Sequence, residues 1–162
     1  MLLREAVPGD ADLLADLVVA AVDWTGAAIA LDRGRVLGDD HLRRYVEDWP
    51  RAGDAGLVAV DDAGAPLGAA WLRTFRAARP GYGFVAEDVP ELSMAVLEGA
   101  RGSGAGSALL DGCLRLARAH GWRAVSLSVE DGNALARSMY GRRGFVPVGR
   151  EGGSDVLLLP LD

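Results

Sequence analysis

The sequence contains no lysine, and all 17 of its basic residues are arginine. Without lysine, the chain can form neither a Schiff base with a carbonyl substrate nor a phosphate loop that depends on a lysine side chain. The formal net charge is −6. An acidic surface repels polyanions, so we expect no nucleic acid partner, whereas an amine-bearing substrate would be attracted unless the charge serves solubility alone.

Cysteine is equally scarce, with Cys113 as its one example. An internal disulfide and a zinc ion held by several cysteines are therefore excluded, and we expect no metal site. Long apolar runs are also missing. No segment approaches the roughly 18 residues of a membrane span, and residues 1–12 lack the basic and apolar regions of a signal peptide. These absences favour a cytoplasmic protein that does not bind a membrane.

The 162 residues suffice for one well-buried core, so we expect a single domain over residues 1–162. Apolar periodicity and turn signals first predict a strand at 2–7, a helix capped by Asp10, and a helix capped by Asp39 or Asp40 and stopped by Pro50. A hairpin of strands at 56–60 and 66–75 and a strand at 92–97 follow. The rest of the chain predicts a helix at 107–120, a strand at 124–129, a helix opened by Asn133 and a last strand pair at 145–148 and 156–159. This order predicts an α/β (α+β) fold. Its sheet is mixed and mostly antiparallel, with six or seven strands, one parallel β-α-β crossover and about four flanking helices.

A glycine-rich segment, Arg101 to Gly106, lies between a predicted buried strand and an amphipathic helix. Its three glycines allow the backbone to approach a ligand closely and direct amide N–H groups outward at the positive end of the helix dipole. Arg101 adds a permanently charged bidentate donor. The pattern is typical of a phosphate-binding site, although a tight strand-to-helix turn would also use these glycines.

A dinucleotide-binding oxidoreductase is one alternative for such glycines. It would need the pattern Gly-x-Gly-x-x-Gly, but the last of these positions is Ser107. In addition, one β-α-β unit surrounds the segment, whereas a dinucleotide-binding fold needs several. The sequence therefore disfavours this alternative.

Three segments follow one another along the chain. They are a strand at 91–96, the pattern Arg/Gln-x-x-Gly-x-Gly/Ala matched by Arg101, Gly104 and Gly106, and a helix signature of Asn133, Ala136 and Tyr140 followed by Gly144-Phe145. In these segments and in their order the chain resembles the GNAT superfamily of N-acetyltransferases, whose acetyl-CoA motif has that glycine pattern. The resemblance runs from about residue 91 to residue 148. It departs from the family at 97–99, where a proline is often found.

This resemblance implies an acetyl-CoA-dependent enzyme that transfers an acetyl group directly from the thioester to a primary amine. The backbones of Met94 and Val96 would pair with the pantetheine arm, and residues 102–107 would wrap the pyrophosphate. The residues that would bind the cofactor are Met94, Val96, Arg101, Gly102, Gly104, Ala105, Gly106, Ser107 and Asn133.

Two residues are candidates for proton transfer. An amine must be neutral to attack, and Glu91 is the candidate base, acting directly or through a water, with an ordinary surface glutamate as the alternative. Tyr140 falls two helical turns after Asn133, and the resemblance implies that it protonates the departing thiolate; otherwise it is a core aromatic. Cys113 faces the interior on its predicted helix, which disfavours ping-pong transfer through it.

The acceptor amine stays open among small molecules and peptides. The resemblance implies that four aromatic residues border its cleft, although core packing explains Trp71 equally well: Trp24, Trp71, Tyr82 and Phe84. The last strands could serve a homodimer. The alternative function is a catalytically silent acyl-CoA-binding protein that regulates or scaffolds, because cofactor residues survive loss of activity more easily than acceptor sites do.

Overall fold

A computed structural model describes residues 1–22 and 33–162. Its seven strands are β1 Leu2–Glu5, β2 Ala55–Val60, β3 Pro66–Arg73, β4 Glu91–Val96, β5 Ala124–Glu130, β6 Val146–Glu151 and β7 Ser154–Pro160, in the sheet order β1-β2-β3-β4-β5-β7-β6. β4 and β5 pair in parallel, and the sheet is otherwise mostly antiparallel. The mixed sheet with one parallel pair is therefore confirmed.

Five α-helices accompany the sheet in the described ranges, against about four predicted. They are α1 Ala11–Val22, α2 Arg33–Gly38, α3 Asp40–Arg43, α4 Ala105–Ala119 and α5 Ala134–Gly141, with 3₁₀ turns at Pro8–Asp10 and Glu98–Ala100. The cap of α3 is Asp39, whose side chain accepts a hydrogen bond from His41 N–H at 2.8 Å. Of these five helices, none combines the length and the apolar character that crossing a membrane requires.

The described residues cluster into two compact units. One comprises residues 1–22, 33–71 and 93–113, and the other comprises residues 72–92 and 114–162. Each is made of separate stretches of the chain, so neither unit is one continuous segment of sequence. The expectation of a single domain stays a prediction.

In the first unit, local turn chemistry builds the predicted hairpin of β2 and β3. Asp61 Oδ1 accepts hydrogen bonds from the N–H groups of Ala63 and Ala65, both at 2.9 Å, and Gly64 takes a φ of +85°. These are the residue types that such a turn demands. Cys113 lies in the core of the same unit, where its Sγ donates to Ala70 O at 3.3 Å, as expected for a packing residue.

Asp10 differs from its predicted role as the cap of α1. It lies in the 3₁₀ turn before that helix, and its carboxylate turns back to accept from Val7 N–H at 2.7 Å and from the Arg4 guanidinium at 2.8 and 2.9 Å. An arginine on β1 offers two charge-assisted bonds, which outweigh the single bond of a helix cap. Asp10 therefore ties β1 to the start of α1.

Asp10→Asn is expected to lower the free energy of unfolding by about 1–2 kcal/mol near neutral pH, because the amide loses the charge-assisted bonds to Arg4. The Arg4 guanidinium holds the pKa of Asp10 below its ordinary value. Stability from this pair is thus present above the pKa of an unfolded aspartate and is lost as pH falls through the lower folded-state pKa. Urea denaturation at about pH 7 and about pH 2 measures the change; a difference between the variants that persisted in acid would contradict it.

The second unit contains the terminal strand pair that the sequence predicted. β5 and β7 run antiparallel with Ser126 opposite Leu158. β7 also runs antiparallel to β6, from which a turn at 152–153 separates it. Arg150 ties this hairpin to the loop before α5, with its guanidinium 2.7 Å from Asp131 Oδ1 and 2.8 Å from Asp155 Oδ1. This arrangement holds β5 and the start of α5 in place.

Candidate active site

The loop between β4 and α4 has a conformation that favours glycine. Gly102 and Gly104 have φ angles of +79° and +86°, in the left-handed region, and a Cβ atom added to either would meet no atom within 4 Å. The loop is exposed from Arg101 to Gly104. Glycine is therefore favoured at these two positions by the positive φ angles and not by close packing, and the space beside their Cα atoms is open.

Helix α4 begins directly after this loop. Ala108 N–H donates to Gly104 O at 3.1 Å, the first bond of the helical ladder, so the amides of the preceding turn lie at the helix N-terminus. Ala105 is 1% exposed, so its methyl group packs in the core, while its backbone lies at the N-terminus of α4. A helix N-terminus beside open glycine backbone suits an anionic group such as a diphosphate, and the exposed Arg101 adds positive charge.

The peptide groups of β4 alternate between its two edges. Just beyond the strand, Leu97 N–H donates to Leu67 O of β3 at 2.8 Å. Because successive residues of a strand direct their peptide groups to opposite edges, those of Met94 and Val96 point away from β3. An extended ligand with amide groups, such as a pantetheine arm, can pair with such an edge as an added strand does.

Glu91 begins β4 in the second unit as an interior carboxylate, with 3% of its surface exposed. Gly83 N–H donates to its Oε1 at 3.0 Å. The parallel register places Glu91 opposite Ser126 of β5, which is also buried. The alternative of an ordinary surface glutamate does not fit this environment.

Gly83 packs directly on the backbone of β5. A Cβ atom added there would lie 2.6 Å from the carbonyl carbon of Leu127 and 2.8 Å from Ser128 N, and backbone atoms of a central strand cannot move aside cheaply. Tyr82 and Phe84, on either side, are half-buried. This one contact therefore positions the amide that bonds Glu91 and the two aromatic residues predicted at the acceptor cleft.

Gly83→Ala is expected to destabilise the protein by about 1–3 kcal/mol, the usual cost of overpacking, because the added methyl must push the loop off β5. Gly38→Ala is the matched control, since Gly38 ends α2 with no atom within 4 Å of an added Cβ. Urea denaturation of both variants measures the effect. Equal midpoints for the two would contradict the close approach at Gly83.

Helix α5 carries the other two candidates. Asn133 caps it, with Oδ1 accepting from Ala136 N–H at 3.3 Å, which confirms that Asn133 opens the last helix. Tyr140 is buried near its end, and its ring meets Phe145 edge to face at a centroid distance of 5.8 Å. Burial raises the pKa of Tyr140 to about 12, so its phenol keeps its proton at neutral pH, as a proton donor must.

The remaining aromatic candidates differ in their surroundings. Trp71 is 1% exposed, and its Nε1–H donates to Tyr45 O at 3.0 Å, an arrangement that core packing explains. Trp24 lies outside the described residues. The sequence did not single out Gly83 or Ser126, because a glycine in a loop and a serine in a strand carry no distinctive spacing.

Comparison with known proteins shows which family the chain is similar to. The model of the acetyltransferase (GNAT) family matches residues 27–145. A mycothiol acetyltransferase of Beutenbergia cavernae is 37% identical over 117 residues, which are 72% of this chain and 36% of that protein. One of Amycolatopsis mediterranei is 31% identical over 145 residues, covering 88% of this chain and 45% of the relative. The chain thus spans less than half the length of both relatives.

Solved structures share the fold across almost all of the chain. A ribosomal-protein-alanine N-acetyltransferase from Brucella melitensis superposes with a TM-score of 0.71 and 26% identity, covering 99% of this chain and 100% of that one. A phosphinothricin acetyltransferase from Sinorhizobium meliloti, in complex with acetyl-CoA, gives 0.67 and 21%, with 99% and 88% covered. On its family match and its fold together, the chain belongs to the GNAT acetyltransferase family.

Proposed function

We propose that this protein is an acetyl-CoA-dependent N-acetyltransferase that transfers the acetyl group directly to a primary amine of a small molecule or peptide. The open, left-handed glycine backbone at the N-terminus of α4 carries the proposal, because it suits the diphosphate of CoA. When bound, acetyl-CoA supplies the acetyl group as a thioester. Residues 101–107 would hold its diphosphate and the outward peptide groups of Met94 and Val96 its pantetheine arm. Asn133 is the further residue that the family resemblance assigns to the cofactor.

Two side chains then handle protons. The Glu91 carboxylate takes a proton from the acceptor ammonium, directly or through a water, and leaves a neutral nitrogen with a lone pair. The neutral nitrogen attacks the thioester carbonyl carbon, and the carbon–sulfur bond breaks as the carbon–nitrogen bond forms. Tyr140 Oη gives a proton to the sulfur, and the second proton lost by the nitrogen restores the phenol, whose raised pKa keeps it protonated before the reaction.

Direct transfer also agrees with the state of the single thiol. Burial raises the pKa of Cys113 to about 12, so little of the nucleophilic thiolate exists at neutral pH. A ping-pong reaction through this residue is therefore disfavoured, as the sequence indicated.

The acceptor is best sought among cationic amines. The net charge of −6 attracts them, and the half-buried rings of Tyr82 and Phe84 would offer aromatic faces for a cation. Two kinds of compound have priority: amines related to mycothiol, from the names of the sequence relatives, and peptides with N-terminal alanine, from the solved Brucella enzyme. A cytoplasmic location and a homodimer stay predictions.

Two measurements test the proposal. Calorimetry should detect binding of acetyl-CoA but not of NAD, and an amine panel should release free CoA thiol with a matching mass increase of one acceptor. Absence of any CoA association at millimolar ligand would refute the proposal. Tight binding without thiol release from any amine would instead favour the catalytically silent acyl-CoA-binding protein.

A further inference from the structure

A row of three buried polar residues crosses the second unit. The parallel register of β4 and β5 pairs Glu91 with Ser126. On the other side of β4, Leu97 pairs with Leu67 of β3 in the antiparallel sense. Counting back along β4 to Glu91 and forward by as many residues along β3 places Arg73, at the end of β3, opposite Glu91. Glu91 is 3% exposed, Ser126 is 0% exposed and Arg73 is 1% exposed. Residues paired across strands direct their side chains to the same face, so the three share one face of the sheet.

The hydroxyl of Ser126 is buried without a hydrogen-bond partner in the described part of the chain. Its Oγ has no hydrogen-bond partner among residues 1–22 and 33–162, whereas its backbone N–H donates to Pro90 O at 3.0 Å. On β7 its neighbour is Leu158, which offers no side-chain polar atom. A buried hydroxyl without a partner is destabilising, so alanine would serve the fold at this position at least as well.

The depth of Glu91 limits how a proton can reach it. Glu91 has 3% of its surface exposed, and one of its carboxylate oxygens, Oε1, already accepts from Gly83 N–H. A substrate ammonium arriving from solvent therefore has little carboxylate surface to contact. A buried water needs two or more polar partners, and Glu91 and Ser126, which are paired on neighbouring strands, can provide them.

We propose that Ser126 is a positioning residue that, with Glu91, holds the water through which the acceptor's proton reaches the base; this inference rests on the proposed function. The water oxygen accepts a proton from the acceptor ammonium while one of its own protons passes to the Glu91 carboxylate. Ammonium and carboxylate thereby become neutral amine and carboxylic acid, and the water is regenerated. Its other O–H is donated to Ser126 Oγ, which turns the oxygen lone pair toward the amine.

Ser126→Ala tests this role, with Ser128→Ala as the matched control on the same strand. We expect Ser126→Ala to lower kcat/KM for the acceptor by about tenfold, part of what acid–base catalysis contributes. Its melting temperature should be unchanged or higher, since a buried unpartnered hydroxyl is removed, and its Kd for acetyl-CoA should be unchanged. Ser128→Ala should match the wild type in kcat/KM and in acetyl-CoA affinity.

A double-mutant cycle with Glu91→Gln shows whether Ser126 acts through Glu91. In the Glu91→Gln background, Ser126→Ala should cause no further loss, whereas independent effects would multiply. A multiplied loss, or a lowered melting temperature that accompanies the lost activity, would assign Ser126 a merely structural role and overturn the inference. So would wild-type kinetics for Ser126→Ala in a protein that transfers acetyl normally. Failure of the wild type to bind acetyl-CoA would overturn the proposed function, and this inference with it.

Discussion

Tyr140→Phe is expected to lower kcat by about 100-fold or more, within the range that a positioned proton donor contributes. Phenylalanine keeps the ring and its edge-to-face contact with Phe145 and removes only the phenolic oxygen that protonates the sulfur. The Kd of acetyl-CoA should change by less than about threefold, because the lost interaction is made in the transition state. Since burial raises the pKa of Tyr140 to about 12, its ionisation should not shape the pH–rate profile near neutrality.

Tyr45→Phe is the matched control for this experiment. Tyr45 and Tyr140 are equally exposed, at 8%, and Tyr45 has no proposed part in the chemistry. Both substitutions remove one buried phenolic oxygen, so differences in folding are compared directly by urea denaturation. Steady-state release of CoA thiol gives kcat for each. If Tyr140→Phe turned over as fast as Tyr45→Phe, Tyr140 would be a core aromatic and another group would have to protonate the sulfur.

Elements governed by local chemistry were predictable from the sequence. The hairpin around Asp61, the end of α4 before Gly121 and the cap of α5 at Asn133 all follow from residues within a few positions of one another. The helix predicted from Asp39 or Asp40 to Pro50 was wrong in its extent, since α3 ends at Arg43 and turns follow. Of the four side chains in its apolar spacing, Tyr45 and Trp49 are buried and Leu42 and Val46 are half-buried, because single turns bring residues to one face much as a helix does.

The chemical environment of the candidate site was less predictable than its position. The glycine-rich loop could be located because strand, glycines and helix are adjacent in sequence. The burial of Glu91 depends instead on Gly83 and on Ser126, which lies 35 positions further along the chain and reaches it only through the parallel register. Packing between distant segments decides such features, and periodicity carries no information about it.

Gly104→Val is expected to weaken acetyl-CoA binding at least about tenfold. A β-branched residue at a φ of +86° is a steric outlier, so the loop must take another conformation. The carbonyl of Gly104 accepts the first hydrogen bond of α4, from Ala108 N–H, and the disturbance therefore reaches the amides assigned to the diphosphate. Calorimetry with acetyl-CoA measures the change in Kd.

Gly121→Val separates ligand binding from backbone strain. Gly121 follows the opposite end of α4 with a φ of +77°, and an added Cβ would again meet no atom within 4 Å. Both variants should therefore lose a similar free energy of unfolding, about 1–3 kcal/mol for strain of this kind. Gly121→Val should nevertheless bind acetyl-CoA as the wild type does, because it leaves the N-terminal amides of α4 undisturbed. Equal affinities in the two variants would mean that the ligand does not depend on the backbone at Gly104, and the diphosphate would have to be assigned elsewhere.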